Sequence, residues 1–322
     1  MIKWGVLGTA DIAEKQTIPG MKRASNCELY AIAGRNEEKT LRFKNEFGFS
    51  KAYVGYELLL DDPKVEAVYI PLPNHLHKEW VIKALRKGKH VLCEKPLALS
   101  AADAKEMFKE AKANGVCLME AFAYLHSVYI DFLKADLRTR IIGNLNYIET
   151  AFITQGYTEN FRLYKEKGGG ALYDLGCYCT SMILTLADSE PVDVKAVAEF
   201  NSNGADVYTT AIIKFKNGVR ASFQVGMIFD PAVQARKDRL YIRGTRGFIN
   251  SDVEYNQTGM LNYMVDSQGL KIDRTVYVEQ IYGLEVAQFG RYIAKTEKPR
   301  ITKEFSIKNA ALMDRLLEAI GY

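Results

Sequence analysis

The sequence has no long apolar segment and little excess of charge of either sign. No apolar run reaches the roughly 18 residues of a membrane-spanning helix, and the first residues, MIKWGVLG, lack the basic region and cleavage site of a secretory signal. Lys and Arg number 43 against 39 Asp and Glu, which is too small an excess to indicate a nucleic-acid-binding surface. We therefore expect a cytoplasmic protein that binds neither nucleic acid nor membranes.

Cysteine and histidine are also scarce. The five cysteines form no CxxC pair, so we expect reduced thiols, no disulfide and no structural zinc. His75 and His77 form a His-x-His pair, but His90 and His126, the other two histidines, complete no metal-ligand spacing. We expect no metal site.

The length and composition predict two packed domains. The 322 residues correspond to about two domains, and 48% hydrophobic with 25% charged residues excludes disorder and coiled coil. Over the first 120 residues short apolar runs alternate with helical patterns, which predicts a parallel sheet covered by helices. Asn36 and Ser100 are predicted helix caps. The predicted strands are IKWGVL, ELYAIA, VEAVYIPL, HVLC and VCLM.

Beyond about residue 123 the pattern changes to longer alternating strands joined by turns. Asn217-Gly218 predicts a type I′ hairpin turn, after which alternate residues of VRASFQV face the core. One helix is predicted near residues 170–187. The fold class is therefore α/β, with a doubly wound parallel sheet followed by an α+β domain that has a large, mostly antiparallel open sheet. Further strands are predicted at 144–153, 193–200, 239–244 and 247–253.

A degenerate glycine turn follows the first strand. It reads Gly8, Thr9, Ala10, Asp11, Ile12 and Ala13, with alanine in place of the second and third glycines of GxGxxG. Such a turn lets backbone N–H groups at a helix start hold a pyrophosphate. The alternative is a plain strand-to-helix turn.

The end of the second strand carries a cation and no carboxylate. Arg35 could contact the 2′-phosphate of NADP, whereas an acid there would favour NAD. NADP is favoured and NAD stays possible, because Arg35 could instead be solvated while Glu37 or Glu38 binds the ribose.

Two further stretches stand where predicted parallel strands end: residues 71–77 and Glu94-Lys95-Pro96. Open parallel sheets bind ligands at this edge. Lys95 could donate a proton or stabilise charge there. The alternative for each stretch is a surface loop.

The motifs GTADIA, PNHLH, CEKPL, MEAFAY and GGGALYDLGCY, in this order and spacing, resemble the Gfo/Idh/MocA family of nicotinamide-dependent oxidoreductases. The resemblance implies a dinucleotide-binding Rossmann domain over 1–122 and a substrate-binding and dimerisation domain over 123–322. It also implies that Lys95 is catalytic and that the proline peptide after it is cis. The cofactor contacts that we assign in addition to the glycine turn and Arg35 are Pro71, Leu72, Asn74, His77, Glu94 and Lys95.

The resemblance also assigns a substrate site. Asp174 and Tyr178 match an Asp-xxx-His signature, with tyrosine in place of histidine as in the branch of D-xylose dehydrogenase, dimeric dihydrodiol dehydrogenase and glucose-fructose oxidoreductase. Ala10 and the Leu125-His126-Ser127 stretch depart from the family pattern. Tyr124, Arg162 and Lys95 join Asp174 and Tyr178 as predicted substrate contacts.

Tyr178 can act as the base that oxidation of a carbinol requires. Its phenol is a poor base at neutral pH unless a neighbouring cation, such as the Lys95 ammonium, lowers its pKa. Asp174, one helical turn earlier, would share its face. The alternative is a core aromatic flanked by Cys177 and Cys179.

These features together predict an NADP-dependent oxidoreductase acting on a sugar, polyol or trans-dihydrodiol, with oxidation at a sugar's anomeric carbon as the leading hypothesis. The alternatives are a keto-sugar reductase that works in the reverse direction and a non-catalytic nucleotide-sensing regulator. The open sheet over 144–279 is expected to form a homodimer face.

Overall fold

The computed structural model describes residues 1–233, 235–252 and 255–322. These residues form two compact units: 1–126 with 280–307, and 127–279 with 308–322. The functional boundary expected between residues 122 and 123 stays a prediction, because this division reflects packing alone. In the described residues no helix combines the length and apolarity that crossing a membrane requires.

The first unit contains a six-stranded, all-parallel sheet in the order β3-β2-β1-β4-β5-β6. This confirms the doubly wound sheet. The order reverses between β1 and β4, which is where such sheets bind ligands. β4 and β6 are buried over their whole length and β1 and β5 over most of theirs, as expected for a sheet covered on both faces. The strands are β1 (Ile2–Leu7), β2 (Cys27–Gly34), β3 (Lys51–Val54), β4 (Ala67–Ile70), β5 (His90–Glu94) and β6 (Leu118–Ala121).

The helices of this unit begin where the sequence offers caps. The Asn36 side chain accepts the N–H of Lys39 and the Ser100 side chain accepts that of Asp103, so both predicted caps are confirmed. The helices are α1 (Ile18–Met21), α2 (Glu37–Phe47), α3 (Tyr56–Asp61), α4 (His77–Arg86) and α5 (Ala101–Ala113).

The second unit contains an eight-stranded sheet in the order β14-β13-β12-β11-β7-β10-β9-β8. Its strand pairs are antiparallel except for β7 with β10, so the mostly antiparallel sheet is confirmed. The strands are β7 (Leu145–Gln155), β8 (Pro191–Phe200), β9 (Asp206–Phe215), β10 (Arg220–Phe229), β11 (Arg236–Gly244), β12 (Gly247–Ser251), β13 (Gly259–Ser267) and β14 (Leu270–Val278). Residue 253, at the end of one predicted strand, lies outside the described residues.

One helix was expected beyond residue 123, and the structure has more. A π-helical turn (Leu172–Gly176) leads into α7 (Cys177–Ala187), which matches the expected helix. The others are α6 (Val128–Arg138), α8 (Ile281–Ile293) and α9 (Lys303–Ala319). α6 buries residues 129, 130 and 133, a helical spacing that the sequence analysis overlooked.

The hairpin between β9 and β10 is real, but the expected type I′ turn is wrong. Phe215 N–H donates to Val219 O at 2.9 Å, so the loop has three residues, and of these only Gly218 has a positive φ, of 87°. The Asn217 amide donates to Ala187 O at 3.0 Å and its oxygen accepts from Val219 N–H, which fixes the wider loop. The expected alternation is confirmed over residues 220–225 of β10, since residues 221, 223 and 225 are buried and residues 220, 222 and 224 are not.

Candidate active site

The glycine turn lies where the strand order of the first sheet reverses. Gly8 has a φ of 123°, which favours glycine, and its N–H donates to Ala33 O at 2.8 Å. A Cβ on Gly8 would lie 3.1 Å from Leu72, so the turns after β1 and β4 approach closely. Thr9, Ala10 and Ile12 are partly exposed, and Asp11 points to solvent beside Lys15. The turn leads through a π-helical turn (Ala13–Thr17) into α1. Backbone N–H groups of this turn can therefore donate hydrogen bonds to a phosphate.

Arg35 stands exposed immediately after β2. Its guanidinium lies close to Tyr56, whose pKa is raised by burial and lowered in part by Arg35. The adjacent Asn36 side chain is committed to capping α2, and Glu37 and Glu38 lie in the first turn of that helix. Arg35 is therefore the cation at the end of this strand.

His77 lies between the loops that follow β4 and β5 and contacts the backbone of both. Its ring is fully buried, with Nδ1 2.9 Å from Pro96 O and Nε2 2.7 Å from Leu72 O. Burial and the Lys95 ammonium lower its pKa to about 4, against the raising effect of the two carbonyls. A neutral imidazole has one N–H, so His77 donates to one of these two carbonyls and contacts the other. Its expected contact with the cofactor stays a prediction. Asn74 is also buried, in the 3₁₀ turn before α4, and Pro71 is buried directly after β4.

The Glu94-Lys95-Pro96 turn is held from two sides. Thr17 Oγ donates to Tyr69 Oη at 2.9 Å, and Tyr69 donates to Glu94 at 2.6 Å. On the other side Glu120 accepts the N–H of Leu97 at 2.9 Å. The peptide after Lys95 is cis, as the family resemblance implies.

Glu120 was not among the expected site residues, although it belongs to the MEAFAY motif. Only 3% of it is exposed, and burial raises its pKa to about 7, opposed by hydrogen bonding and by the Lys95 ammonium. Its position near the end of β6, beside β5 and the Lys95 turn, could have indicated a site residue from the sequence. Tyr124, an expected substrate contact, is 2% exposed and packs edge-on against Phe122 within the first unit.

In the second unit three of the expected substrate-site residues lie together. Arg162 Nε is 2.8 Å from Asp174 Oδ2, so Asp174 forms an ion pair with an arginine of the same unit. Burial disfavours the charge of Arg162, but Asp174, Tyr157 and Tyr178 together raise its pKa. Asp174 lies in the π-helical turn and Tyr178 in the first turn of α7. The structure therefore brings Arg162, Asp174 and Tyr178 into one cluster.

Tyr178 lies among aromatic rings. Its ring centroid is 5.5 Å from that of Phe152 and 5.4 Å from that of Tyr255. The amide of Asn256 donates to its phenol oxygen at 3.2 Å. Asn256 was missed from the sequence because it is 78 residues away and carries no motif. A phenol with an amide donor, a nearby guanidinium and apolar walls can exchange a proton with a substrate hydroxyl. In the described part of the chain no group of three His, Cys, Asp or Glu side chains could hold a metal ion.

Comparison with known proteins adds independent evidence. The model described as "Oxidoreductase family, NAD-binding Rossmann fold" (GFO_IDH_MocA) matches residues 2–122, and "GFO/IDH/MocA C-terminal domain" matches 131–250. D-xylose 1-dehydrogenase (NADP(+)) 2 of Haloferax volcanii is 31% identical over 98% of this chain and 96% of its own. Trans-1,2-dihydrobenzene-1,2-diol dehydrogenase of Xenopus laevis is 31% identical over 77% of this chain and 74% of its own.

A solved structure is also similar. The 3-ketoreductase KijD10 of Actinomadura kijaniata, in complex with NADP and TDP-benzene, aligns with a TM-score of 0.92 and 29% identity, covering 99% of this chain and 98% of its own. These matches confirm the family expected from the motifs, and with it the oxidoreductase class and the Rossmann domain that binds a nicotinamide dinucleotide.

Proposed function

Because the chain belongs to the Gfo/Idh/MocA family of oxidoreductases, we propose that it transfers a hydride between NADP(H) and a carbinol or carbonyl carbon of a sugar, polyol or trans-dihydrodiol. The observation that carries this proposal is the phenol of Tyr178, which has an amide donor and a partly buried ion pair beside it and aromatic walls around it. The relatives' names support the substrate class, since they include a D-xylose dehydrogenase and a dihydrodiol dehydrogenase. NADP, when bound, accepts or donates the hydride, and the chain supplies the proton transfer.

Lys95 and Tyr178 are the proposed acid/base pair. Lys95 follows β5 in a turn held by His77 and Glu120, so its backbone is fixed at the ligand edge of the first sheet. In oxidation, Tyr178 takes the proton of the substrate hydroxyl while the hydride leaves carbon, and the Lys95 ammonium favours the phenolate. Reduction runs through the same groups in reverse.

Kinetics of Tyr178→Phe and Lys95→Met test this assignment. Each variant should lose about 100- to 10,000-fold in kcat and still bind NADP. If the two act in one proton transfer, the double variant should be little slower than the slower single variant. Tyr173→Phe, which removes a phenol from the same helical segment, is the control and should keep its activity. Near wild-type turnover of Tyr178→Phe would overturn the assignment.

The direction of the reaction has a second candidate, since the similar solved structure is a 3-ketoreductase. The substrate would then be a keto-sugar and NADPH the hydride donor. Assays with NADP plus aldoses, polyols and dihydrodiols, and with NADPH plus keto-sugars, distinguish the two. The direction with the higher kcat/KM is the physiological candidate.

Preference for NADP over NAD is proposed from Arg35, the exposed cation after β2. Loss of a charge-assisted contact of about 1.5 to 3 kcal/mol should weaken NADP binding by roughly 10- to 150-fold in Arg35→Ala and leave NAD binding nearly unchanged. Lys44→Ala removes a charge from the far end of α2 and controls for long-range electrostatics. Equal losses for NADP and NAD would contradict the proposal.

A homodimer formed through the open sheet is also proposed. Val197, Ile212, Met260 and Tyr277 are 57% to 72% exposed, and the strand registers place them on one face of the sheet. An exposed apolar face of this kind is typical of a protein–protein interface. Light scattering should give a dimer mass for the wild type and a monomer mass for Ile212→Glu. Leu58→Glu, at an exposed apolar residue of α3, is the control and should stay dimeric. A monomeric wild type at micromolar concentration would reject the idea.

A further inference from the structure

The phenol oxygen of Tyr178 has a partner that lies far away in the chain. Asn256, in the turn between β12 and β13, donates its Nδ2–H to Tyr178 Oη at 3.2 Å. The Oδ1 of the same amide is buried and has no hydrogen-bond partner among the residues that the structure describes. In this orientation the amide directs its donor, and not its oxygen, at Tyr178.

The residue before Asn256 fixes the turn to the sheet. Tyr255 N–H donates to Asp238 at 2.8 Å, and Asp238 in turn accepts from Arg236 Nε at 2.8 Å. The Tyr255 ring stacks on Phe152 with centroids 5.3 Å apart and planes within 10°. Its hydroxyl lies 2.5 Å from Thr150 Oγ. Since the backbone and ring of Tyr255 are both held, Asn256 has little freedom to move away from Tyr178.

An amide donor at a phenol oxygen has a definite chemical effect. A hydrogen bond to a charged form favours that form, so an N–H donated to the oxygen stabilises phenolate more than phenol. The donor also occupies one direction around the oxygen, and the phenol must then give its own proton to another acceptor. Both effects suit a tyrosine that cycles between phenol and phenolate.

We propose that Asn256 is a positioning residue for Tyr178, holding its oxygen in place and stabilising its phenolate during proton transfer. This inference rests on the proposed function, in which Tyr178 is the acid/base residue. Charged or titratable groups near Tyr178 in its own unit include Arg162 and Asp174 on one side and Tyr255 with the Arg236–Asp238 pair on the sheet side. Asn256 supplies a neutral donor to the phenol oxygen.

The pH dependence of oxidation tests the proposal. With phenolate as the base, kcat falls below a midpoint that reports the Tyr178 equilibrium. Asn256→Leu, of similar size without a donor, should raise this midpoint by about one pH unit, which is a tenfold lower kcat on the acid side, with much of the rate recovered at high pH. Asn256→Asp should raise the midpoint further, since it replaces the donor by a negative charge. Asn262→Leu, at an exposed residue of β13, is the control and should leave the midpoint unchanged.

The outcomes are separable from those of the proposed function. If Tyr178→Phe keeps full activity, the proposed function fails, whatever Asn256 does. If Tyr178→Phe is inactive and neither Asn256 variant moves the midpoint, the positioning role is overturned. The far-UV circular dichroism spectrum and the urea midpoint of each variant establish that it is folded, and Asn256→Asp serves if Asn256→Leu does not fold. A loss of kcat that is equal at every pH would also count against the proposal.

Discussion

The two units hold their candidate functional segments in the same way, although one is built on a parallel sheet and the other on a mostly antiparallel sheet. In the first, Glu120 accepts the N–H of Leu97, two residues after Lys95, at 2.9 Å. In the second, Asp206 accepts the N–H of Leu172, two residues before Asp174, also at 2.9 Å. The other oxygen of each carboxyl is buried without a hydrogen-bond partner in the part of the chain that the structure describes. Each unit thus fixes its segment by a buried carboxyl group.

The surroundings of the two carboxyls differ. Burial raises the pKa of Asp206 to about 6, opposed by its hydrogen bonds to Thr209 and Leu172, which are neutral partners. For Glu120 burial raises the pKa to about 7, against hydrogen bonds and the nearby Lys95 ammonium. At pH 7 a carboxyl with a pKa of about 6 is mostly ionised, whereas one with a pKa of about 7 is about half ionised. The Asp206 carboxyl therefore adds more negative charge beside its segment than the Glu120 carboxyl does.

The position of the Asp206 carboxyl also requires a glycine at residue 170. Gly170 has a φ of 106°, and a Cβ on it would lie 2.1 Å from Asp206 Oδ1. Only glycine fits at this approach. The third glycine of the GGGALYDLGCY motif therefore has a structural reason, which is separate from any contact with substrate.

Truncation of the two carboxyls should have the largest effect on stability. Asp206→Ala removes two hydrogen bonds, from Leu172 N–H and from Thr209 at 2.6 Å, and leaves a buried donor and a cavity, so we expect a loss of about 3 kcal/mol in the free energy of unfolding. Glu120→Ala, which removes the hydrogen bond from Leu97 N–H, should cost less, about 2 kcal/mol. Urea denaturation followed by circular dichroism measures both.

Asp206→Asn and Glu120→Gln are the matched controls, because each keeps an oxygen that can accept the backbone N–H. Each should be clearly more stable than the corresponding alanine variant. Equal stability of the amide and alanine variants would show that the hydrogen bond does not hold the segment.

The first unit was the more predictable of the two because its chemistry is local. Each βα connection ends a strand at the same edge of the sheet, so Gly8, Arg35 and Lys95 could be assigned from motif and position. The sequence analysis missed one strand of this sheet, β3, because it is short, is at least partly exposed at every residue and lacks a buried apolar run. The contacts of His77 with two backbone carbonyls could not be predicted for another reason, since Leu72 and Pro96 approach its ring only in three dimensions. Its expected contact with the cofactor stays a prediction.

The second unit was less predictable because its contacts join distant segments. Asn256 reaches Tyr178 across 78 residues, and no periodicity encodes such a contact. β13 and β14 were missed because their outer faces mix polar residues with exposed Met260 and Tyr277, which blurs the alternation. The sheet class could be predicted, since it depends on alternation alone, whereas the turn at Asn217 depends on a side-chain bond to Ala187.

The pH dependence of stability should distinguish the two carboxyls. The folded pKa of Glu120, about 7, exceeds its ordinary value of 4.5, so between these values the folded state binds more protons than the unfolded state. The free energy of unfolding attributable to Glu120 should therefore fall as pH rises, by about 1.4 kcal/mol per pH unit. For Asp206 the same fall should occur between its ordinary 3.8 and about 6.

Denaturation of the wild type and of Glu120→Gln and Asp206→Asn from pH 4 to 8 measures this difference. Subtracting each variant from the wild type removes the opposite dependence of His77 and His126, whose pKa values burial lowers to about 4. The Glu120 difference should keep changing above pH 6, whereas the Asp206 difference should level off. Differences that do not depend on pH would contradict both assignments.

The smallest effect concerns two serine caps, one in each unit. Ser100 accepts Asp103 N–H and Ser127 accepts Tyr129 N–H, both at 3.1 Å. Ser100 is partly exposed, so in Ser100→Ala water can replace the lost acceptor and the cost should be about 1 kcal/mol. Ser127 and Tyr129 are 5% and 4% exposed, so in Ser127→Ala the N–H stays unsatisfied and the cost should approach about 2 kcal/mol. Ser→Asn variants, which can still cap, should recover more stability at Ser100, where the larger side chain has room. Urea denaturation at pH 7 decides the order, and a larger loss at Ser100 would show that burial does not set the strength of these caps.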